Sequence, residues 1–352
     1  MKCFILVGVL LVTVLAYQGV RQNEWVYEDA AMKIVAEGEP GLSVGVLSRN
    51  AARLSVWYPA RWLGPSPVVQ HVIQVSVHLL NGLLLFWVLR KFVKDVPALV
   101  GTALFLWAPI QVETAAYVAS RPDLLMTTGI LTAIGLTLGL PVPGPIPMSF
   151  RESGRAWIRG IGVILAVFFA ISAKQVGVLV VPFLMLIRWV QEPERRLEWA
   201  IALGGCVACG AILIPSVPVD IGALPYNHFW NAAYQSAAFW SLVKLVVVMR
   251  GFTIDMNIGA MTPTVAWMAL GGVLGLAGLA WFVRRTHPIL MLALAWLLVQ
   301  LSPRLVLSLP EYMNQHQAYP AMIAVSLLLA LGVTTLQEYR HELSAPTPAL
   351  SA

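Results

Sequence analysis

The sequence predicts an all-α polytopic membrane protein, with about ten transmembrane helices and amphipathic helices lying on the outer surface. Two observations lead there. Of 352 residues, 59% are hydrophobic and only 11% are charged, against about 25% charged in an ordinary soluble domain. The apolar residues are also gathered into runs close to the roughly 20 residues that a helix needs to cross a bilayer. The mean hydropathy of +0.77 agrees. A soluble enzyme, a disordered chain and a secreted disulfide scaffold are excluded. Cys3, Cys206 and Cys209 lie in apolar runs and imply neither a disulfide framework nor a zinc site. The net charge of +6 is not a nucleic-acid footprint, because the basic residues cluster at the ends of apolar segments.

The expected spans are residues 4–20, 68–89, 96–112, 124–140, 160–172, 175–190, 199–217, 262–283, 288–308 and 319–337. The first resembles a signal peptide in having a lone Lys2 before its apolar run, but lacks a small-x-small cleavage site and reads as a retained anchor. The fifth is short and reads as a broken or tilted helix. Positive residues set the orientation. Arg90, Lys91 and Lys94 follow the second span, Arg151, Arg155 and Arg159 the fourth, and Arg188, Arg195 and Arg196 the sixth. Arg284 and Arg285 follow the eighth and Arg340 the last. These junctions share a side with Lys2 if both termini are cytoplasmic, which places the chain in the inner membrane with its other face toward the periplasm.

The connections follow from that frame. The first outer loop, 21–67, carries mixed charge and an amphipathic helix over 44–62. A second surface helix is expected over 232–249 within the outer loop 218–261; as a full span it would turn Arg284 and Arg285 outward. Residues 141–159 read as a Pro/Gly-rich cytoplasmic linker. Residues 1–340 form one transmembrane domain, followed by a short cytoplasmic tail, 341–352.

The distinctive polar residues fall on the outer side. Glu28 and Asp29 follow the first span, and Glu113, Arg121 and Asp123 bracket the turn between the third and fourth. Lys174 sits between the fifth and sixth; Arg250 and Asp255 follow the second surface helix; Arg304, Glu311 and His316 surround the last outer loop. Charges near membrane depth are costly unless they pair or face a polar cavity, so acids and bases returned to one face suggest a shared cleft. His71, Gln74, His78 and Asn81, spaced three, four and three apart, form one face of the second span and should point into the bundle.

A carboxylate at that level can take a proton from an acceptor hydroxyl. Neighbouring Arg and Lys can neutralise a phosphate leaving group. The arrangement suits group transfer from a lipid-linked phosphate. A proton-coupled transporter would instead carry its ionisable groups within the spans, which here are nearly free of acids.

Four stretches in order resemble a known family: WVYEDAAM (25–32), HVIQVSVHLLNGLLLFWVLRKF (71–92), APIQVETAAYVASRPDLL (108–125) and LPEYMNQHQAYPAMIAVSLLLA (309–330). Weaker matches are AISAKQVGVLVVPFLMLI (170–187) and YQSAAFWSLVKLVVVMRGFTIDMNI (234–258). Together the set is similar to the GT-C superfamily of integral-membrane glycosyltransferases, closest to the transmembrane O-mannosyltransferase-like branch, here without tetratricopeptide repeats. The resemblance implies a GT-C-like bundle, a polyprenyl-phosphate sugar donor and an acceptor outside the cytoplasm, a hydroxyl of a secreted or surface protein. It implies Asp29 as general base with Glu28 as neighbour or substitute. Glu113, Arg121 and Asp123 would shape the acceptor or sugar site, Arg121 pairing with Asp123 as the alternative. Lys174, Arg250 and Arg304 would meet the donor phosphate, and His316 with Tyr319 the donor. No cofactor is expected, although Asp29, Glu113 and Asp123 are hard oxygen ligands that could hold a divalent cation.

The chain departs from the family pattern at several points. Glu28-Asp29 stands where Asp-Asp is common, and Ala108 replaces a histidine before Pro109. Gln175 follows Lys174 in place of glutamate, and Gln315 and Gln317 replace the glutamate and arginine around His316. These changes motivate one alternative, a non-catalytic membrane scaffold; a lipid-linked sugar transporter is a third reading, weakened by the lack of acids within the spans.

Overall fold

The computed structural model describes residues 2–25, 29–42, 49–142, 150–213, 228–248, 262–306 and 315–344, and among them every regular element is helical. Five helical segments there are long and apolar enough to cross a membrane: Phe4–Gln22, Pro67–Leu89, Arg151–Ala173, Pro263–Val283 and Met322–Glu342. Two further pairs, each broken by a bend, raise the number to seven.

Helix α1 (Lys2–Ala16) runs into a 3-10 turn, Gln18–Gln22. Two short helices follow, α2 (Asp29–Glu37) and α3 (Asn50–Leu63). The second of these is the amphipathic helix expected over 44–62; residues 44–48 lie outside the described residues. Its inner face is Ala52, Val56 and Ala60, spaced four apart. Small side chains there let α2 approach, and Ala36, Val56, Ala60 and Val118 form one buried cluster. Tyr58 and Trp62 remain on the outer face. Gly64, at φ +85, ends the helix in a conformation that side chains with a Cβ avoid.

Helix α4 (Pro67–Leu89) starts on a proline whose missing N–H costs nothing at that position. Helix α5 (Asp95–Trp107) breaks at Ala108, whose extended backbone is what a following proline demands. Pro109 opens a 3-10 turn into α6 (Val112–Ala116), and the axis bends by 53°. A 3-10 turn, Val118–Ser120, leads to α7 (Arg121–Thr137).

Next comes α8 (Phe150–Ala173), a single helix of 24 residues. The sequence suggested a short fifth span, 160–172, after a linker reaching to 159. The helix instead begins ten residues earlier, because Pro147 is the last proline of the stretch and nothing after it removes a backbone N–H from the helix.

Helices α9 (Val180–Gln191) and α10 (Arg196–Leu213) are joined through a 117° bend at Pro193. Glu192 pins that bend: it pairs with Arg188 and accepts from Trp199 Nε1 at 2.8 Å. Arg188 in turn donates to the Pro141 carbonyl at 3.1 Å, which holds the end of the α7 segment. Helix α11 (His228–Val248) carries the segment expected as a surface helix over 232–249, and it packs along α12 (Pro263–Val283) and α13 (Pro288–Val306). Trp240 Nε1 reaches the Ala269 carbonyl at 3.0 Å to fasten α11 to α12. Helix α14 (Met322–Ser344) continues past residue 340, where the tail was expected to begin; residues 345–352 lie outside the described residues.

The main core is contributed by α4, α5, α7, α9, α13 and α14, with Leu85, Phe105, Leu131, Ile187 and Trp296 buried in it. Two glycines permit its closest crossings. A Cβ at Gly101 would stand 2.6 Å from the Ser326 carbonyl oxygen, where α5 meets α14. At Gly129 it would stand 2.7 Å from the Ala166 oxygen, where α7 meets α8. Packing of this kind, rather than hydrophobic exclusion, drives helix association in lipid.

Candidate functional site

Chain connectivity brings the N-terminal ends of α4, α7 and α14 to the same end of the bundle as the C-terminal ends of α5 and α8. The helix pair α2–α3 and the short helix α6 pack over that end. Most of the described ionisable residues expected on the outer side lie here.

The polar stripe on α4 does turn inward: His71, Gln74, His78 and Asn81 are all buried. Gln74 Nε2 donates to the carbonyls of Thr114 and Tyr117, both at 2.8 Å, so it binds α4 to α6 and the turn beyond. Its Oε1 accepts from Arg121 Nε at 2.9 Å. Arg121, fully buried at the first position of α7, gives four of its five N–H groups to acceptors within the protein. Nη1 reaches the Ser55 carbonyl at 3.0 Å and Gln70 Oε1 at 2.6 Å, and Nη2 reaches the Gln70 carbonyl at 2.6 Å. A guanidinium stays charged even when buried, and the Asp29 carboxylate is near enough for the two charges to act on each other.

Asp29 itself is buried at the start of α2. The backbone N–H of Ala119 donates to its Oδ1 at 2.7 Å, tying α2 to the α6–α7 turn. Glu28 lies outside the described residues.

Arg121 and Asp123 do not pair. Two residues apart on one helix, they point to opposite sides. Asp123 instead receives Lys174, whose Nζ stands 2.8 Å from both carboxylate oxygens. Lys174 follows α8 in extended backbone, and its side chain is 16% exposed against 4% for Asp123. An ammonium has three N–H groups and Asp123 engages two oxygens with them, so Lys174 keeps a donor.

Glu113 on α6 meets His316, which sits in a 3-10 turn, Gln315–Ala318, before α14. His316 Nδ1 donates to Glu113 Oε1 at 3.1 Å, and both side chains are partly exposed. Glu113 Oε2 and the buried side chains of Gln111, Thr114 and His71 have no hydrogen-bond partner among the described residues.

Tyr319 is turned into the core rather than toward a ligand. Its hydroxyl is 2.8 Å from His78 Nδ1 and 3.2 Å from Asn81 Nδ2. Arg304 lies on α13, but its side chain is outside the described residues, as are Arg250, Asp255 and Glu311. Gln70 is the residue that the sequence reading passed over. It stands four before Gln74, on the same helical side, which was the available signal.

Among the described residues, no three His, Cys, Asp or Glu side chains form a group that could hold a metal ion. Asp29, Glu113 and Asp123 are engaged in separate contacts with Ala119, His316 and Lys174. The arrangement can hold fixed carboxylates beside fixed positive charges in a site screened from water, where such charges act strongly. No protein-family model, curated protein or solved structure matches the chain.

Proposed function

We propose that the chain is a glycosyltransferase of GT-C type, a bundle of about ten spans. It moves a sugar from a polyprenyl-phosphate donor to a hydroxyl of a secreted or surface protein on the periplasmic side of the inner membrane. The observation that carries the reading is the gathering of Asp29, Glu113 and Asp123 with Arg121, Lys174 and His316 at one end of a helical bundle.

Asp29 takes the proton of the acceptor hydroxyl. The new bond joins the acceptor oxygen to the sugar's anomeric carbon, and the bond from that carbon to the phosphate oxygen breaks. The polyprenyl phosphate leaves with the electron pair. The Ala119 N–H orients Asp29, and its hydrogen bond favours the ionised carboxylate. Lys174 offers its remaining N–H to the developing negative charge, with Arg250 and Arg304 as further cations for the phosphate. Glu113 and His316 border the sugar or acceptor.

Lipid-linked hexose measured by mass spectrometry tests this in strains with the wild-type protein, without it, and with Asp29→Asn. Blocked transfer should raise the donor pool in the last two alike. An equal pool in all three strains would sink the reading. One observation favours the scaffold alternative: Arg121 is buried and gives four of its five N–H groups to protein acceptors.

A further inference from the structure

The hydroxyl of Tyr319 closes a hydrogen-bond chain through His78 and Asn81. The Leu106 carbonyl, 3.2 Å from His78 Nε2, can only accept, so Nε2 carries the imidazole proton. In the neutral imidazole Nδ1 is then bare and accepts from the Tyr319 O–H at 2.8 Å. Asn81 Nδ2 donates one hydrogen to the Tyr319 oxygen at 3.2 Å and the other to the Leu124 carbonyl at 3.0 Å. Asn81 Oδ1 accepts from Thr128 at 2.7 Å. Every polar atom of the three side chains is engaged, and all three residues are 0% exposed. Rings close around them: Tyr17 meets the His78 ring edge-on at 5.4 Å, and Phe105 stands 5.8 Å from His78 and 5.1 Å from Tyr319.

This cluster ties α4 to α5, α7 and the start of α14. Two groups of the candidate site hang from it. His316 belongs to the turn whose carbonyl accepts the Tyr319 N–H at 3.1 Å, so anchoring Tyr319 anchors His316 three residues earlier. The Leu124 carbonyl and Thr128 hydroxyl lie just beyond Arg121 and Asp123 on α7.

We propose that His78, Asn81 and Tyr319 are positioning residues, a buried anchor that holds His316 against Glu113 and sets the α7 entry. The inference rests on the transfer reading for its consequence, but not for its geometry. The three act through the residues they hold and touch no substrate.

The test uses the full chain in lipid nanodiscs, with the native cysteines replaced. In Glu113→Cys/His316→Cys, the rate of disulfide formation reports how often the turn lies against α6. Tyr319→Phe is added to that background and, separately, to the unmodified site. Ile134→Val, at the other end of α7, controls for a general loss of stability. Tyr319→Phe should slow crosslinking on the order of tenfold, with comparable loss of transfer, since a shift near one ångström can cost up to about a hundredfold. Ile134→Val should leave both close to wild type. An unchanged crosslinking rate in Tyr319→Phe, or equal slowing in Ile134→Val, overturns the anchor. Slowed crosslinking with an unchanged lipid-linked hexose pool overturns its consequence for transfer, provided the pool responds to Asp29→Asn. If the pool never responds to Asp29→Asn while crosslinking slows, the transfer reading fails and the anchor stands. Should Tyr319→Phe not accumulate, Asn81→Ala removes the bonds to Tyr319, Leu124 and Thr128 while leaving the His78 contact; slowed crosslinking is again expected, and an unchanged rate overturns the anchor.

Discussion

Replacing Lys174 with methionine should destabilise the protein more than Asp123→Asn at its partner. The ammonium stands 2.8 Å from both oxygens of Asp123, and Asp123 is 4% exposed. Removing the cation leaves a carboxylate buried without compensation, a loss of about 3–5 kcal/mol for fully buried pairs. Lys174 retains 16% exposure, so the lower end, about 3 kcal/mol, is expected. At roughly 2–4 °C per kcal/mol, the melting temperature should fall by about 6–12 °C. Asp123→Asn keeps an acceptor for the ammonium and should cost less, about 1–2 kcal/mol. The double variant should cost less than the sum, leaving a coupling of about 2 kcal/mol. Intrinsic tryptophan fluorescence in nanodiscs reads all four proteins of the cycle. Strict additivity, or a strong coupling of Asp123 to Arg121 instead, would refute the pairing.

Other predictions follow from single contacts. Arg121→Lys should cost about 3 kcal/mol or more despite conserving charge, because one ammonium cannot serve Gln70, Gln74 and the Ser55 carbonyl from a planar fork; a melting temperature unchanged within error would contradict that network. Gly101→Val should lower expression and stability by about 1–3 kcal/mol, since its Cβ would meet the Ser326 backbone and α5 could not keep its distance from α14. Wild-type stability in Gly101→Val would mean that the two helices do not cross there. Ala30→Cys lies on the exposed side of α2 beside Asp29, and a membrane-impermeant maleimide should label it from the periplasmic face. Labelling only from the cytoplasm would invert the topology.

What the sequence disclosed, and what it hid, has a physical pattern. The inward face of α4 was legible because three- and four-residue spacing projects onto one side of a helix, and His71, Gln74, His78 and Asn81 are indeed buried. Helix α3 was legible from its amphipathic period. The bend after α5 was not read, for the expected span 96–112 ran straight through Pro109. The partner of Lys174 was not legible, because a contact spanning 51 residues depends on how α7 and α8 cross. An Arg121–Asp123 pair looked natural in the string of letters, yet the helix separates those side chains by its own geometry. Tyr319 looked available beside His316; only the fold shows that its hydroxyl is committed to His78. The hold on Asp29 by the Ala119 N–H is a backbone contact that side-chain patterns do not reveal. Glu28 and Arg250 fall outside the described residues, and Arg304 has only its place on α13 described.

Intact-mass spectrometry of surface and secreted proteins tests the central claim most directly. Three strains are compared: one with the wild-type protein, one lacking it, and one carrying Asp29→Asn at matched membrane abundance. Transfer by this chain predicts a hexose-sized increment on at least one protein in the first strain only. An increment that persists with Asp29→Asn would contradict the role of that carboxylate, and no mass difference in any protein across the three strains would contradict transfer to protein.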